Sequence, residues 1–315
     1  MKIALVGQGA FGVRHLEALR NIPDVEVVSL AGGRPAGTQQ VAEKWQIPHW
    51  TTDLAETLKQ PGLEAVIIAS PTGVHAQQAE QCMRSGKHVL IEIPIADSVA
   101  DSERLVDVQK ETGLVAMAGH VRRFNLSHQW IHRRIEAGEL KLQQMDAQTY
   151  FFRRSNMNAA GQPRTWTDHL LWHHACHTVD LFQFQTGELP VVANAIQGPL
   201  HPELGIAMDM SIQLKVPSGA LLTLSLSFNN DGPFGGFFRY ICDNGTYKVF
   251  FDDLTDGYDK PIDLSKVDIS TNGLELEDRE FFAAIRENRE PKSSVAQALP
   301  AMQTLGRLEK QLASA

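Results

Sequence analysis

The chain has 315 residues, 43% of them hydrophobic, and a formal net charge of −8. That length supports two ordinary hydrophobic cores, and the acidic balance excludes nucleic acid or an anionic membrane surface as the main partner, because both reward basic faces. Three scattered cysteines, Cys82, Cys176 and Cys242, give neither a disulfide framework nor a C-x-x-C zinc site, which points to a reducing cytoplasm.

The chain opens on a buried strand over 2–6. No charged leader precedes it, and no apolar run approaches the roughly 20 residues of a membrane span, so a soluble, untargeted protein is expected. Gly7-Gln8-Gly9-Ala10-Phe11-Gly12 follows at once, then a helical run over 13–20. Gly7 permits a tight turn, Gly9 lets the backbone approach a pyrophosphate, Gly12 lets helix pack on strand, and the helix N-terminus at Ala10 and Phe11 faces the anion. A second strand over 25–30 ends in Ala31-Gly32-Gly33-Arg34. An acidic residue there would bind the ribose 2′-hydroxyl and repel a 2′-phosphate; Gly33 and Arg34 instead favour the phosphate, hence NADP over NAD.

Strands over 64–69 and 87–91, alternating with helical segments over 76–85 and 99–112, complete the pattern of a doubly wound parallel sheet. Ligands lie beyond the carboxyl ends of such strands, which gathers Ser70, Pro71, Thr72, His75, Glu92 and Ile93 around one crevice. His75 serves equally well as a polar cap of the helix that follows it. The first domain is read as residues 1–120.

After His120 and Arg122-Arg123-Phe124 the rhythm changes to a helix over 127–137 and alternating stretches over 144–153, 191–197, 208–216, 220–228, 237–242 and 246–251. Period-two alternation with few helices between predicts an α+β domain, 121–315, whose open and mainly antiparallel sheet covers one face and leaves the other for a subunit interface. Amphipathic helices over 274–288 and 295–312 close the chain, the second expected to pack back near the first domain.

Four of the twelve histidines fall within nine residues of the stretch from Trp166 to Phe182. Read as an α-helix, His169, His173 and His177 form one stripe with Asp180 three residues on. A neutral imidazole takes or gives a proton near neutral pH, so the stripe predicts a proton-transfer site. Zinc shared by an i, i+4 pair, and a Cys176 thiolate attacking an aldehyde, are weaker alternatives: no H-E-x-x-H is present, and a small cysteine on a helix usually packs.

Taken together these motifs resemble the glucose-fructose oxidoreductase and inositol dehydrogenase (Gfo/Idh/MocA) family, over the whole chain. The resemblance rests on the glycine turn, Ser70-Pro71-Thr72 with His75, a Glu-Lys-Pro-like Glu92-Ile93-Pro94, and a helix similar to Asp-x-Gly-x-His-x-x-Asp at His173 to Asp180. It implies a Rossmann domain plus an open-faced α+β domain, hydride exchange with NAD(P), no resident metal, and a homodimer or homotetramer. Two departures matter. Ile93 replaces the lysine that meets the reacting hydroxyl, and His173 replaces the aspartate.

With Ala96-Asp97-Ser98, Tyr150-Phe151-Phe152-Arg153-Arg154 and the string from Pro163 to His169, those departures resemble a branch of the family that oxidises a dicarboxylate semialdehyde, as its cyclic hemiacetal, to a lactone. A hemiacetal hydroxyl is more acidic than a sugar hydroxyl, so a histidine base suffices without lysine. His177 is the expected acid/base, His173 its partner or substitute, and Asp180 an orienting or structural carboxylate. Arg122, Arg153, Arg154 and Arg164 are candidates for the substrate carboxylates, Arg164 and one of the adjacent pair being preferred. His120, Asp168, His169 and His174 would line the pocket. A sugar or cyclitol dehydrogenase is the enzymatic alternative. A non-catalytic nucleotide-sensing regulator is the alternative of another class, and it would be expected to lose the polar pocket that this chain keeps.

Overall fold

The computed structural model describes residues 1–157, 161, 163–164, 167–233 and 235–314. The chain divides into two compact units, Met1–Val121 with Asn272–Leu299, and Arg122–Thr271 with the chain from Pro300 onward.

In the first unit the order is β1 (Lys2–Val6), α1 (Ala10–Leu19), β2 (Glu26–Ala31), α2 (Pro35–Trp45), β3 (His49–Thr51), α3 (Leu54–Thr57), β4 (Leu63–Ile68), α4 (His75–Arg84), β5 (His88–Glu92), α5 (Val99–Thr112) and β6 (Ala116–Gly119). The strands form a six-stranded sheet in the order β3-β2-β1-β4-β5-β6, every pair parallel. Strand order reverses between β1 and β4, which marks the ligand crevice at their carboxyl ends. Ile3, Ala4 and Leu5 and the run Ala65 to Ile68 are wholly buried, as the centre of a parallel sheet covered on both faces requires. Helix ends carry local signals. The Ser98 hydroxyl caps α5 by accepting from the Asp101 N–H, and Gly113, at φ 66°, closes it.

The second unit begins with α6 (Leu126–Glu136) and β7 (Leu142–Tyr150). A π-helical turn over Leu170–Ala175 then runs directly into α7 (Cys176–Thr186). Strands β8 (Val192–Gln197), β9 (Asp209–Lys215), β10 (Leu221–Ser227), β11 (Gly235–Cys242), β12 (Gly245–Phe250) and β13 (Asp253–Asp256) follow. They join β7 in a seven-stranded sheet, order β13-β12-β11-β7-β10-β9-β8, antiparallel except for the β7–β10 pair. In β9 and β10, Met210, Ile212, Leu214, Leu222, Leu224 and Leu226 point inward, while the serines, threonine and glutamine between them face outward.

Helices α8 (Gly273–Glu287) and α9 (Val295–Ala313) complete the chain, and here the structure departs from the sequence reading. It is α8 that belongs to the first unit, against α1, while α9 from Pro300 on belongs to the second. Amphipathic periodicity marks a face to be buried without naming its partner. Strand β7 also ends at Tyr150 rather than 153, so Arg153 and Arg154 lie beyond the regular strand.

Candidate functional site

At the glycine turn of the first unit, Gly7 sits at φ 116°, and a Cβ there would come 2.3 Å from the Ala69 carbonyl oxygen. A Cβ on Gly12 would come 2.0 Å from the Gly7 oxygen, so both glycines are required by packing. Gly9 differs. A Cβ on it meets nothing within 4 Å, which leaves an open approach at the N-terminus of α1. That end has no side-chain cap and no acidic residue in its first turn, so the N–H groups around Ala10 and Phe11 suit a pyrophosphate. A dinucleotide fits this cradle.

At the end of β2 the Gly33 N–H donates to the Gln8 side-chain oxygen (3.1 Å), fixing the loop. Arg34 is exposed and precedes Pro35 at the start of α2, so a guanidinium and a helix N-terminus share one position. Ser70 donates to Gln78 (2.5 Å), and Thr72 is buried in the short turn that leads to α4. Both ring nitrogens of His75 face carbonyl oxygens, Pro94 at 2.9 Å and Ser70 at 2.7 Å. The imidazole therefore braces Ser70-Pro71 beside Ile93-Pro94 at the crevice. Glu92 turns its carboxylate toward His15 (2.9 Å), while Ile93 stays half-buried. His120 is 1% exposed.

In the second unit the histidine segment is not the single α-helical stripe expected. His169 precedes the π turn and caps it, its Nδ1 facing the Trp172 N–H at 3.5 Å. The wider π turn advances the chain differently from 3.6 residues per turn, and such turns recur at functional sites. His173 lies within it, its ring edge-on to His169 at 4.9 Å, with Nδ1 accepting from the His169 N–H (3.2 Å). An accepting Nδ1 leaves the proton of the neutral ring on Nε2, so His173 presents a donor. His177 stands in the first turn of α7, half-buried. Asp180 is buried and accepts from Arg123 at both oxygens, 2.8 Å and 2.5 Å, which makes it a structural carboxylate.

Asp168 is the hub of an ion-pair network. It pairs with Arg153 through both oxygens, with Arg164 (3.1 Å) and with His174 Nε2 (3.1 Å). Burial would push its carboxyl up, but the His174 hydrogen bond and the Arg153 guanidinium overrule this and hold it well below the usual carboxylate range. Arg153 also lies over the Phe228 ring (4.6 Å), and His174 packs edge-on to the same ring (5.2 Å). Arg154 stacks over Phe152 (4.3 Å) and donates to the Arg153 carbonyl (2.8 Å) and Asn229 (3.0 Å). Thr165 and Trp166 lie outside the described residues.

Arg122 stands apart. Its guanidinium lies over Phe238 (4.7 Å) and donates to the Thr178 hydroxyl (2.6 Å), yet no carboxylate of the described residues forms an ion pair with it. Burial lowers its pKa to about 10. Thr178, Phe228 and Phe238 were not legible as site residues, because a threonine in a helix and aromatics in strands carry no signal apart from core packing. Cys176 is wholly buried, which removes it as an exposed thiolate.

Among known proteins, residues 1–120 match the model of an oxidoreductase family with an NAD-binding Rossmann fold, and residues 126–268 that of the C-terminal domain of bacterial oxidoreductases. The chain is 62% identical to the 4-carboxy-2-hydroxymuconate-6-semialdehyde dehydrogenase of Sphingobium sp. (strain NBRC 103272 / SYK-6), over 99% of each chain. It is 32% identical to the scyllo-inositol 2-dehydrogenase (NAD(+)) of Bacillus subtilis (strain 168), over 44% of this chain and 41% of that one. In fold it is similar to a levoglucosan dehydrogenase solved with NADH and L-sorbose, TM-score 0.86 at 19% identity, covering 100% of this chain and 97% of that one.

Proposed function

The chain belongs to the Gfo/Idh/MocA oxidoreductase family, and from that premise we propose that it oxidises 4-carboxy-2-hydroxymuconate-6-semialdehyde with NADP. The substrate reacts as its cyclic hemiacetal and leaves as 2-pyrone-4,6-dicarboxylate, in the 4,5-cleavage route of protocatechuate degradation. The observation that carries the reading is Arg122, a half-buried guanidinium that forms no ion pair among the described residues, in the same unit as the Arg153 and Arg164 guanidiniums organised on Asp168. A dicarboxylate would pair with such a cation directly, which a neutral sugar would not.

When bound, the nicotinamide supplies the hydride acceptor. His177 takes the hydroxyl proton of the hemiacetal, so that as the C–H bond gives up its electron pair the carbon becomes the lactone carbonyl. His173, whose Nε2 carries the proton, donates a hydrogen bond to the substrate oxygen. Arg122 and Arg153 hold carboxylates. Arg34 at the start of α2 receives the 2′-phosphate. The protein works in the cytoplasm, and copies associate through the outer face and edge of the seven-stranded sheet, where Val192, Ile196 and Leu221 are exposed.

The test compares the semialdehyde with inositols and sugars in the wild type and in His177→Asn. The semialdehyde should be the preferred substrate, and the variant should lose about 10²–10⁴-fold in kcat, the usual range for a general acid–base group. Turnover of cyclitols in preference to the semialdehyde, or a loss below about tenfold in His177→Asn, refutes the proposal.

A further inference from the structure

The inner side of the first unit holds a second cluster of titratable groups, which the reaction does not use. His15, on the buried side of α1, directs Nδ1 to the Asp278 carboxylate (3.0 and 3.2 Å) and Nε2 to Glu92 Oε1 (2.9 Å). Glu277 from α8 completes the group. His15, Glu277 and Asp278 are 0% exposed and Glu92 7%. Neither carboxylate oxygen of Glu277 has a hydrogen-bond partner. One ligand atom from each of His15, Glu92 and Glu277 lies within 4.8 Å of the others.

The charges do not balance. Three carboxylates surround one imidazole, and buried charge is tolerated only when paired. The neighbouring acids of α8 are matched: Glu275 pairs with Arg279 (2.8 Å) and Glu280 with Arg289 (2.6 Å). No arginine or lysine forms an ion pair with Glu277 or Asp278 among the described residues. A proton on Glu277 would relieve the repulsion but would leave a hydroxyl without an acceptor. A dication relieves both.

The geometry points to a buried site for a divalent transition-metal ion, zinc or manganese, with His15 Nε2, Glu92 and Glu277 as ligands and Asp278 orienting the imidazole through Nδ1. One imidazole with two carboxylates is a donor set these ions accept, and a carboxylate behind the imidazole is the usual support for a histidine ligand. Such an ion ties α1, the end of β5 and α8 together behind the glycine turn. Its role is structural, and it stands or falls independently of the substrate assignment.

The experiment is elemental analysis of the full-length protein, expressed in medium supplemented with zinc or manganese and freed of loose metal by gel filtration. About one ion per chain is expected, with a thermal midpoint that falls when the protein is unfolded and refolded with a chelator and recovers when the metal is returned. Glu277→Gln keeps the size and removes the charge, and it should lose the ion. Asp278→Asn should weaken retention about 10–100-fold and serves where the first variant fails to fold. A wild-type protein that folds without zinc, manganese or magnesium after supplementation overturns the site. So does a Glu277→Gln variant that melts higher than the wild type in chelator, which would make Glu277 a buried neutral acid.

Discussion

Replacing Arg122 by methionine separates a substrate-binding cation from a structural one, because the two roles move different observables. A guanidinium that meets a substrate carboxylate contributes about 1.5–3 kcal/mol. At about 1.4 kcal/mol per tenfold, its loss should raise KM for the semialdehyde about 10–150-fold. Folding responds differently. The variant forgoes the hydrogen bond to Thr178, about 0.5–1.5 kcal/mol, and the contact over Phe238, about 0.5–2 kcal/mol. It also removes a desolvated charge that Asp252 offsets only at a distance, so the net change in stability should lie within about 1 kcal/mol of zero. The assays are steady-state kinetics with the semialdehyde and with an analogue lacking one carboxylate, alongside urea unfolding. A marked loss of stability with KM unchanged for both compounds refutes the reasoning and makes Arg122 a core cation.

Asp168→Asn breaks a buried network and should destabilise the second unit by about 3–5 kcal/mol at neutral pH, read by thermal or urea melts. Because the folded carboxyl titrates below its unfolded value of about 3.9, that stabilisation is complete above about pH 4 and fades as pH falls toward the folded value. The gap between wild type and variant should therefore narrow at acid pH, and an equal gap at neutral and acid pH refutes the assignment. Arg34→Ala should lower the NADP-to-NAD ratio of kcat/KM about tenfold or more, since hydrogen bonds to a charged phosphate contribute about 1.5–3 kcal/mol; an unchanged ratio returns Arg34 to the solvated surface.

The glycine turn, the parallel sheet and the alternating second sheet were legible because each carries a period or an obligatory residue. Gly7 and Gly12 are forced by contacts with Ala69 and with Gly7 itself, and β9 and β10 alternate without error. Short elements were not. β3, with three residues, and β13, with four, are too brief to show a period. The π turn at Leu170–Ala175 was hidden for another reason: the recurrence of His169, His173 and His177 every four residues mimics an α-helical stripe, and composition does not signal a wider turn. The pairing of Asp180 with Arg123, and of Asp168 with two arginines and His174, depends on contacts across 57 residues in the first case and on an irregular segment in the second. Acidic residues at 277 and 278 on the inward face of α8 were visible as charges in an amphipathic helix; what they face was not.

Under the proposed hemiacetal chemistry, the arginines and histidines of the second unit have linked tasks. Burial lowers the proton affinity of His174; the Asp168 carboxylate works against this, while the Arg153 and Arg122 guanidiniums add to it. His128, hydrogen-bonded to the Tyr240 hydroxyl at 2.8 Å, is brought down to about 3 by burial and then by Arg122. A neutral imidazole near pH 7 is the form a general base requires. In the proposed reaction a dicarboxylate seated on those guanidiniums would cancel part of the lowering they cause and make the imidazoles stronger proton acceptors, which a neutral sugar would not.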